Sequence, residues 1–228
     1  FTGQAGYVGT RQRDINQILD QNAGQIPGAG NAGRPLFQKF GRTVETARLT
    51  NVGWNNYDSL QTSLQRRLSN GVSMNVAYTW SKAFGICCDV LSDNPPTIQA
   101  MEYFALAESR LNFDRPHNFQ ASVVAELPFG PDKPFLNSDG LVSALVRGWQ
   151  VNGLLSAYSG APFSVSADGA SLNMPGSNQQ ADQVKSEVAI LGNIGPGQSY
   201  FDPLAFRPVT EARFGNAGYN SLRGPRVI

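Results

Sequence analysis

The chain has 228 residues, with 24 glycines, 14 prolines and only 15% charged residues, a composition typical of a turn- and strand-rich domain rather than a helical one. Its formal net charge of +1 gives no electrostatic reason to expect nucleic acid as a partner. No run of about 18 apolar residues is present, so the sequence predicts no transmembrane helix.

The first fifty residues carry weak patterns. Residues 1–9 predict the end of a strand, and residues 13–20 fit a helical turn. The stretch at 22–35 is rich in Gly, Asn, Pro and Ala and predicts a loop. Residues 44–53 are predicted to lead into the next strand.

The strongest pattern lies in residues 57–81, where polar and apolar side chains alternate along two arms. The apolar positions of the second arm are Val72, Met74, Val76, Tyr78 and Trp80. This period-two alternation predicts a β-hairpin with one apolar and one polar face.

Residues 69–71, with the sequence SNG, separate the two arms and predict a three-residue turn that places glycine in the left-handed conformation. A two-residue turn would pair Leu68 with Ser73 and mix the two faces, so the alternation favours the longer turn. The longer turn pairs apolar residues of both arms: Leu68 with Val72, Leu64 with Val76, and Leu60 with Trp80.

Strand patterns return later in the chain, at residues 117–128 and 148–158. Between them and the hairpin, residues 84–115 lack a strand pattern, although 97–110 fit a short helix. Residues 163–167 are predicted to be extended and 168–215 to form a long loop. One strand connection is therefore very short, and those at the other strand ends run to tens of residues. Outer-membrane barrels show this asymmetry, although the connection at 129–147 is long for a short-turn side.

We therefore predict an all-β fold, an antiparallel up-and-down meander that forms a partial transmembrane β-barrel with long loops on one side. Residues 1–228 are expected to be a fragment of a single barrel domain. The chain begins at Phe1 and shows no signal peptide, so we expect it to be an internal piece of a longer protein. From the hairpin alone, a soluble β-sandwich remains an alternative.

The alternation also predicts what each face of the sheet carries. The outer, apolar surface should contain Leu64, Met74, Val76, Tyr78, Trp80, Phe119, Val123, Trp149 and Val151. The opposite, polar face should contain Gln61, Gln65, Ser73, Asn75, Thr79, Gln120 and Asn152. The polar face is mainly neutral, which is typical of a hydrated lumen wall rather than of an ion-selective pore.

The sequence offers no catalytic, cofactor or metal-binding constellation. The single histidine, His117, has no second metal ligand at a suitable spacing and no nucleophile motif beside it. Cys87 and Cys88 are adjacent, and neighbouring cysteines bridge only with strain. We expect no enzyme activity, no cofactor and no metal.

Several segments, taken together and in order, resemble one family. They are GYVGTRQRDINQ at the start, then NYDSLQTSLQRRLSNGVSMNVAYTWSKAF, RLNFDRPHNFQASVVAELPFG, RGWQVNGLLSAYSGAPFSV, SYFDPLAFRP and FGNAGYNSLRGPRV. Together they resemble the C-terminal barrel region of the Oar-like TonB-dependent receptors, over nearly the whole chain. The adjacent cysteines are not a feature associated with that family.

This resemblance implies a part of an outer-membrane receptor for energy-coupled substrate uptake, located in the bacterial outer membrane. It also implies that the signal peptide, the plug and the terminal strand of the barrel lie outside residues 1–228. The implied partners are outer-membrane lipid, the plug and remaining barrel strands, a TonB-type energy-coupling protein reached through other segments, and an unidentified substrate. The alternatives are a surface binding or adhesion module without transport, and a secreted soluble β-sandwich. We expect the long loops to contact the ligand through their aromatic residues, with packing within the loops as the alternative and commoner role for such side chains: Tyr103, Phe104, Phe113, Tyr200, Phe201 and Phe206.

Overall fold

The computed structural model describes residues 1–86, 96–130, 133–137 and 140–228, so Cys87 and Cys88 lie outside the described residues. Its main element is a six-stranded antiparallel sheet in the order β1-β2-β3-β5-β6, with β4 paired to β3. The strands are β1 (Thr2–Asp20), β2 (Ala47–Ser69), β3 (Val72–Ile86), β4 (Ser109–Arg110), β5 (His117–Glu126) and β6 (Gln150–Tyr158). The predicted up-and-down meander is confirmed. The sheet is open, with β1 and β6 at its edges.

Two local predictions were wrong. Residues 13–20 are not a helical turn but the second half of β1, because residues 15–20 pair with residues 47–53 of β2 after a bulge at residues 13–14. Tertiary strand pairing overrides local preference here. The helix predicted at 97–110 is a shorter 3-10 helix, Met101–Ala107, because Ser109 and Arg110 form β4 against β3.

The hairpin turn also differs from the prediction. Asn70 and Gly71 form a two-residue turn in which both residues have positive φ, at 51° and 74°, and Ser69 pairs with Val72. The predicted Leu68–Val72 pairing is therefore wrong. A β-bulge between residues 66 and 69 absorbs the extra residue, and this restores the predicted pairing further from the turn. The confirmed pairs are Leu64 with Val76 and Leu60 with Trp80.

The remaining elements are short. They are the helices α1 (Pro35–Phe40) and α2 (Leu141–Val146), the 3-10 helices Gly30–Gly33 and Pro203–Ala205, and the strands β7 (Pro162–Phe163), β8 (Asp182–Gln183), β9 (Phe206–Arg207) and β10 (Leu222–Arg223). The pairs β7–β10 and β8–β9 are two-stranded sheets within the loops. None of the described helices has the length and apolarity needed to cross a membrane.

The long connections lie at one end of the sheet. Their described residues are 21–46, 96–116 and 159–228, and the other end carries the two-residue turn and residues 127–130, 133–137 and 140–149. Backbone hydrogen bonds join the three long connections to one another: the Gly28 N–H donates to the Leu172 carbonyl and the Asn178 N–H to the Thr97 carbonyl, each at 2.7 Å. We call this packed unit the loop block.

The buried apolar core lies at the loop end of the sheet. One cluster joins Leu19, Ile86 and Phe104, with Val52 and Trp54 packed against it. A second cluster lies within the loop block, where Tyr103 and Phe214 pack against three buried residues, Ala100, Leu172 and Met174. Both described clusters therefore stabilise the loop end, and the middle of the sheet lacks such a core within the described residues.

Candidate membrane surface and loop cleft

The strand register places the apolar side chains on one face of the sheet. Residues directly opposite each other in an antiparallel pair share a face, and the pairing of β2, β3, β5 and β6 forms cross-strand rows. These rows are Leu64–Val76–Ala121–Leu155, Tyr78–Phe119–Ala157, Met74–Val123 and Val72–Ala125–Val151. In the described part of the chain no second sheet covers this face, and Leu155 remains 47% exposed. A large uncovered apolar surface of this kind marks a membrane or interaction surface.

The opposite face is mainly polar, as predicted, although Val124 and the 89% exposed Leu154 also lie on it. Its rows are Gln65–Asn75–Ser122, Gln61–Thr79–Asn118, Ser63–Ala77–Gln120 and Ser73–Val124–Asn152. Neighbouring amides and hydroxyls bond along this face; the Gln61 amide donates to the Ser59 hydroxyl at 3.2 Å. These residues are neutral, so the face can be hydrated without attracting ions of one sign.

An aromatic row crosses the apolar face near the loop end. Tyr7, Leu60, Trp80 and His117 lie opposite one another on β1, β2, β3 and β5. The Tyr78 hydroxyl and His117 Nδ1 are 2.7 Å apart, and their rings stack. Aromatic side chains with a polar tip favour the boundary between lipid and water.

A second aromatic residue lies at the turn end. Trp149, one residue before β6, is 61% exposed, and its indole N–H donates to the Leu145 carbonyl of α2 at 2.8 Å. On β5, His117 belongs to the aromatic row near the loop end, and the N–H of Leu127, just after β5, donates to the Trp149 carbonyl near the turn end. About ten residues separate these two positions, which is about 33 Å along a strand. A strand tilted by about 40° would convert this length into about 25 Å of height, the apolar band of an outer-membrane barrel.

A cleft of about 500 Å³ begins at the aromatic row and extends from it toward the loop end of the sheet. Its lining residues are Tyr7, Asp58, Ser59, Leu60, Trp80, Ser81, Lys82, Arg110, Asp114, Pro116 and Arg223. The strands β2 and β3 provide one wall, and the segment before β5 together with β10 provides the other. Apolar and charged side chains therefore meet in one space at the edge of the apolar face.

A buried ion pair holds one wall of the cleft together. The Asp114 side chain is 1% exposed, its Oδ2 atom pairs with Arg223 Nη2, and its Oδ1 atom accepts the Ala83 N–H at 2.7 Å. Arg223 also donates to the Asp114 carbonyl at 2.9 Å. This pair fastens the segment at β10 to β3, and its two charges cancel.

A second pair lies on the other wall. Arg11 Nη2 is 2.7 Å from Asp58 Oδ1, and the Tyr7 hydroxyl donates to the same carboxylate. Lys82 lies nearby with its Nζ atom 5.6 Å from the centre of the Phe84 ring. Among the described residues, no carboxylate lies within ion-pair distance of Lys82.

The loop aromatics predicted as ligand contacts do not form one site. Tyr103 packs against Phe214 at 5.2 Å, and Phe104 is buried against the sheet. Tyr200 and Phe201 are edge-to-face at 4.9 Å. Phe113 is 56% exposed, and Phe206 lies half-buried in β9. These positions place three of the six aromatics in packing contacts with other rings of the loop block, and their role in ligand contact stays a prediction.

The cleft itself was missed by sequence reasoning. Asp114 and Arg223 are 109 residues apart, and neither belongs to a periodic segment. The signal nearest to it was the DRP sequence before β5, which carries Asp114. A local pattern cannot reveal a partner that only the fold brings close.

The apolar face, the polar face and the aromatic positions near both ends of the sheet agree with the family that the comparison with known proteins shows. A family model described as "Outer membrane beta barrel domain" matches residues 1–228, the whole chain. No curated protein and no solved structure matches the chain. The chain belongs to the outer membrane beta barrel domain family, and its location is the bacterial outer membrane.

Proposed function

We propose that this chain forms part of the barrel wall and the external loops of a TonB-dependent outer-membrane receptor. The observation that carries the proposal is the combination of an uncovered apolar face, a mainly neutral polar face and loops whose longest members lie on one side. The ordered resemblance of six segments to the Oar-like receptors supports the more specific assignment.

The five long strands of the sheet are too few to close a barrel that holds a plug, which needs about 22 strands. We therefore propose that further strands, a plug and the segment that engages the energy-coupling protein are contributed by other parts of the same protein. The neutral polar face would then line the lumen and contact the plug. In this proposal the chain has no enzymatic role, and substrate recognition lies in the loop block.

A surface binding or adhesion module without transport is the second candidate. The observation that favours it is the extensive internal packing of the loop block, which gives a preformed surface at the loop end. An uncovered apolar sheet face does not fit the third alternative, a secreted soluble β-sandwich, which would need a second sheet against Val76 and Tyr78.

The two candidates differ in their need for energy. In a bacterium that carries the gene, uptake of labelled nutrients should fall on deletion of the gene, and equally on loss of the energy-coupling protein or of the proton gradient. Binding of the same nutrients to intact cells should survive loss of the gradient. Retained binding with no energy-dependent uptake of any nutrient would reject the transport proposal in favour of the binding module.

A further inference from the structure

The cleft above the aromatic row has an apolar lower part and a basic upper part. Leu60 and Trp80 line its lower part in the aromatic row, and Lys82 lies two residues further along β3, on the same face. Arg110 pairs with Phe84 and therefore projects from that face as well. Lys82 and Arg110 are diagonal neighbours on β3 and β4, about 7–8 Å apart at the backbone.

Neither of these two cations forms an ion pair within the described residues, although Lys82 lies directly opposite Asp58 on β2. The Arg110 guanidinium donates to the Ser221 and Asn220 carbonyls at 2.8 and 3.4 Å, and these neutral acceptors do not cancel its charge. Both carboxylates of the cleft are already paired, Asp58 with Arg11 and Asp114 with Arg223. Among the described residues around the cleft, four basic side chains (Arg11, Lys82, Arg110 and Arg223) face two carboxylates (Asp58 and Asp114), so a net positive charge lies above the apolar floor.

We propose that the cleft binds a phosphorylated membrane lipid of the external leaflet, with its phosphate between Lys82 and Arg110 and an acyl chain along Leu60 and Trp80. The inference rests on the membrane-wall role proposed above. Two basic groups at this spacing can share one phosphate, because ammonium and guanidinium groups both donate charge-assisted hydrogen bonds to its oxygens. The cleft opens on the apolar face of the sheet, which in this proposal contacts lipid, so an acyl chain can leave the cleft without entering water.

A free phosphate ion would use only the upper half of the cleft. It would gain nothing from Leu60 or Trp80, whose exposed fractions are 42% and 57%. An acyl chain covers that apolar surface and adds the hydrophobic contribution that the ion lacks. The occupant of the cleft is accordingly a lipid, and its headgroup is anionic.

The test uses the whole outer-membrane protein that contains the chain, purified and reconstituted in vesicles. Two photoreactive lipids that differ only in headgroup, phosphatidic acid and phosphatidylcholine with a diazirine in the acyl chain, are added in separate experiments. Peptides labelled on irradiation are identified by mass spectrometry. We expect the phosphatidic acid probe to label the peptides with Leu60 and Trp80 more strongly than the neutral probe does.

The matched variants are Lys82→Gln and, as control, Lys39→Gln on the exposed surface of α1. We expect Lys82→Gln to reduce the preference for phosphatidic acid about fivefold, because one basic side chain near an anionic headgroup contributes about that factor. Lys39→Gln should leave the preference unchanged. Labelling of Val76 and Phe119 by the neutral probe checks that each variant still occupies the membrane.

Three results would overturn the inference. Equal labelling of the cleft by both probes would show that the headgroup is not recognised. Loss of labelling on addition of millimolar inorganic phosphate would identify a phosphate site rather than a lipid site. Unchanged preference in Lys82→Gln would remove the proposed contact. If Val76 and Phe119 are not labelled by either probe, the membrane-wall proposal fails, which is a distinguishable outcome.

Discussion

Asp182 is the best place to test how the loop block is held together. Its carboxylate is 4% exposed and accepts both Arg213 nitrogens, Nη1 at 2.9 Å and Nη2 at 2.6 Å. The Asn216 N–H also donates to it at 3.2 Å, and Arg207 lies 3.6 Å away. The Arg213 guanidinium lowers the pKa of Asp182 from 3.8 to about 2. The pair joins two segments of the last long connection.

Replacing Asp182 by Asn keeps the size of the side chain and removes its charge. The lowered pKa corresponds to about 2 kcal/mol in favour of the charged form. Because Arg213 is 43% exposed, solvent screens the pair, so we expect a loss of about 1–2 kcal/mol in local stability at neutral pH. This corresponds to an increase of about 5- to 30-fold in the opening equilibrium of the segment.

The pH dependence has a defined sign. The folded-state pKa of Asp182 lies below its unfolded value, so the stabilisation is complete above about pH 4 and disappears as the pH falls through about 2. The difference between the wild-type chain and Asp182→Asn should therefore vanish in strong acid.

Hydrogen exchange measured by mass spectrometry over residues 213–220 is the assay, since protection factors report local opening. Asp168→Asn is the control, because Asp168 lies exposed and accepts the Ala170 N–H in a local turn. Equal protection of residues 213–220 in Asp182→Asn and wild type at pH 7 would refute the reasoning. So would a difference that persists unchanged at about pH 2.

Four further substitutions test the sheet. Val76→Lys places a charge in the middle of the apolar face and should cost about 2–4 kcal/mol of stability in a bilayer, whereas Ala77→Lys on the polar face should cost about 1 kcal/mol or less. Reversible unfolding in vesicles measures both losses of stability. Equal losses would contradict the assignment of the two faces. Gly71→Ala should destabilise the hairpin by about 1–2 kcal/mol in a denaturant titration, since Gly71 has a φ of 74°. Gly85→Ala should prevent membrane insertion in a heat-modifiability assay, because a β-carbon there would lie 2.2 Å from the Trp54 carbonyl oxygen.

Two other glycines serve as controls for these glycine substitutions. A β-carbon at Gly6, on β1, would meet nothing within 4 Å, and the same holds at Gly140, which has an extended φ of −158°. Alanine at either position should leave stability and insertion unchanged. If Gly6→Ala is as harmful as Gly85→Ala, steric crowding is not the cause.

How much of the fold could be predicted depends on how local its cause is. The two faces of β3 were predictable because, in a strand with alternating polar and apolar residues, the type of each side chain indicates the face on which it lies. The bulge between residues 66 and 69 was not, since a bulge and a three-residue turn leave the same alternation further along the strands. The second half of β1 was missed because its pairing with β2, not its own residues, makes it a strand.

The candidate site was less predictable than the fold. The lipid-facing rows follow from alternation, and long loops could be recognised from their turn-forming residues. The Asp114–Arg223 pair that shapes the cleft could not, because its two charges are brought together by the path of the chain. The aromatic residues of the loops can be identified from the sequence, but the residues against which they pack within the loop block depend on the tertiary structure.

The contacts of the loop block have a consequence for the order in which the chain folds. The sheet grows from hairpins whose first pair, Ser69 with Val72, closes a very short loop. The loop block depends on bonds such as Asn173 to Gly28 and Asn220 to Arg110, which join residues 145 and 110 positions apart. Contacts between distant residues form slowly, because the chain must first lose the entropy of closing a long loop. The strands can therefore assemble before the loop block forms, and the loop block then packs against a sheet that is already in place.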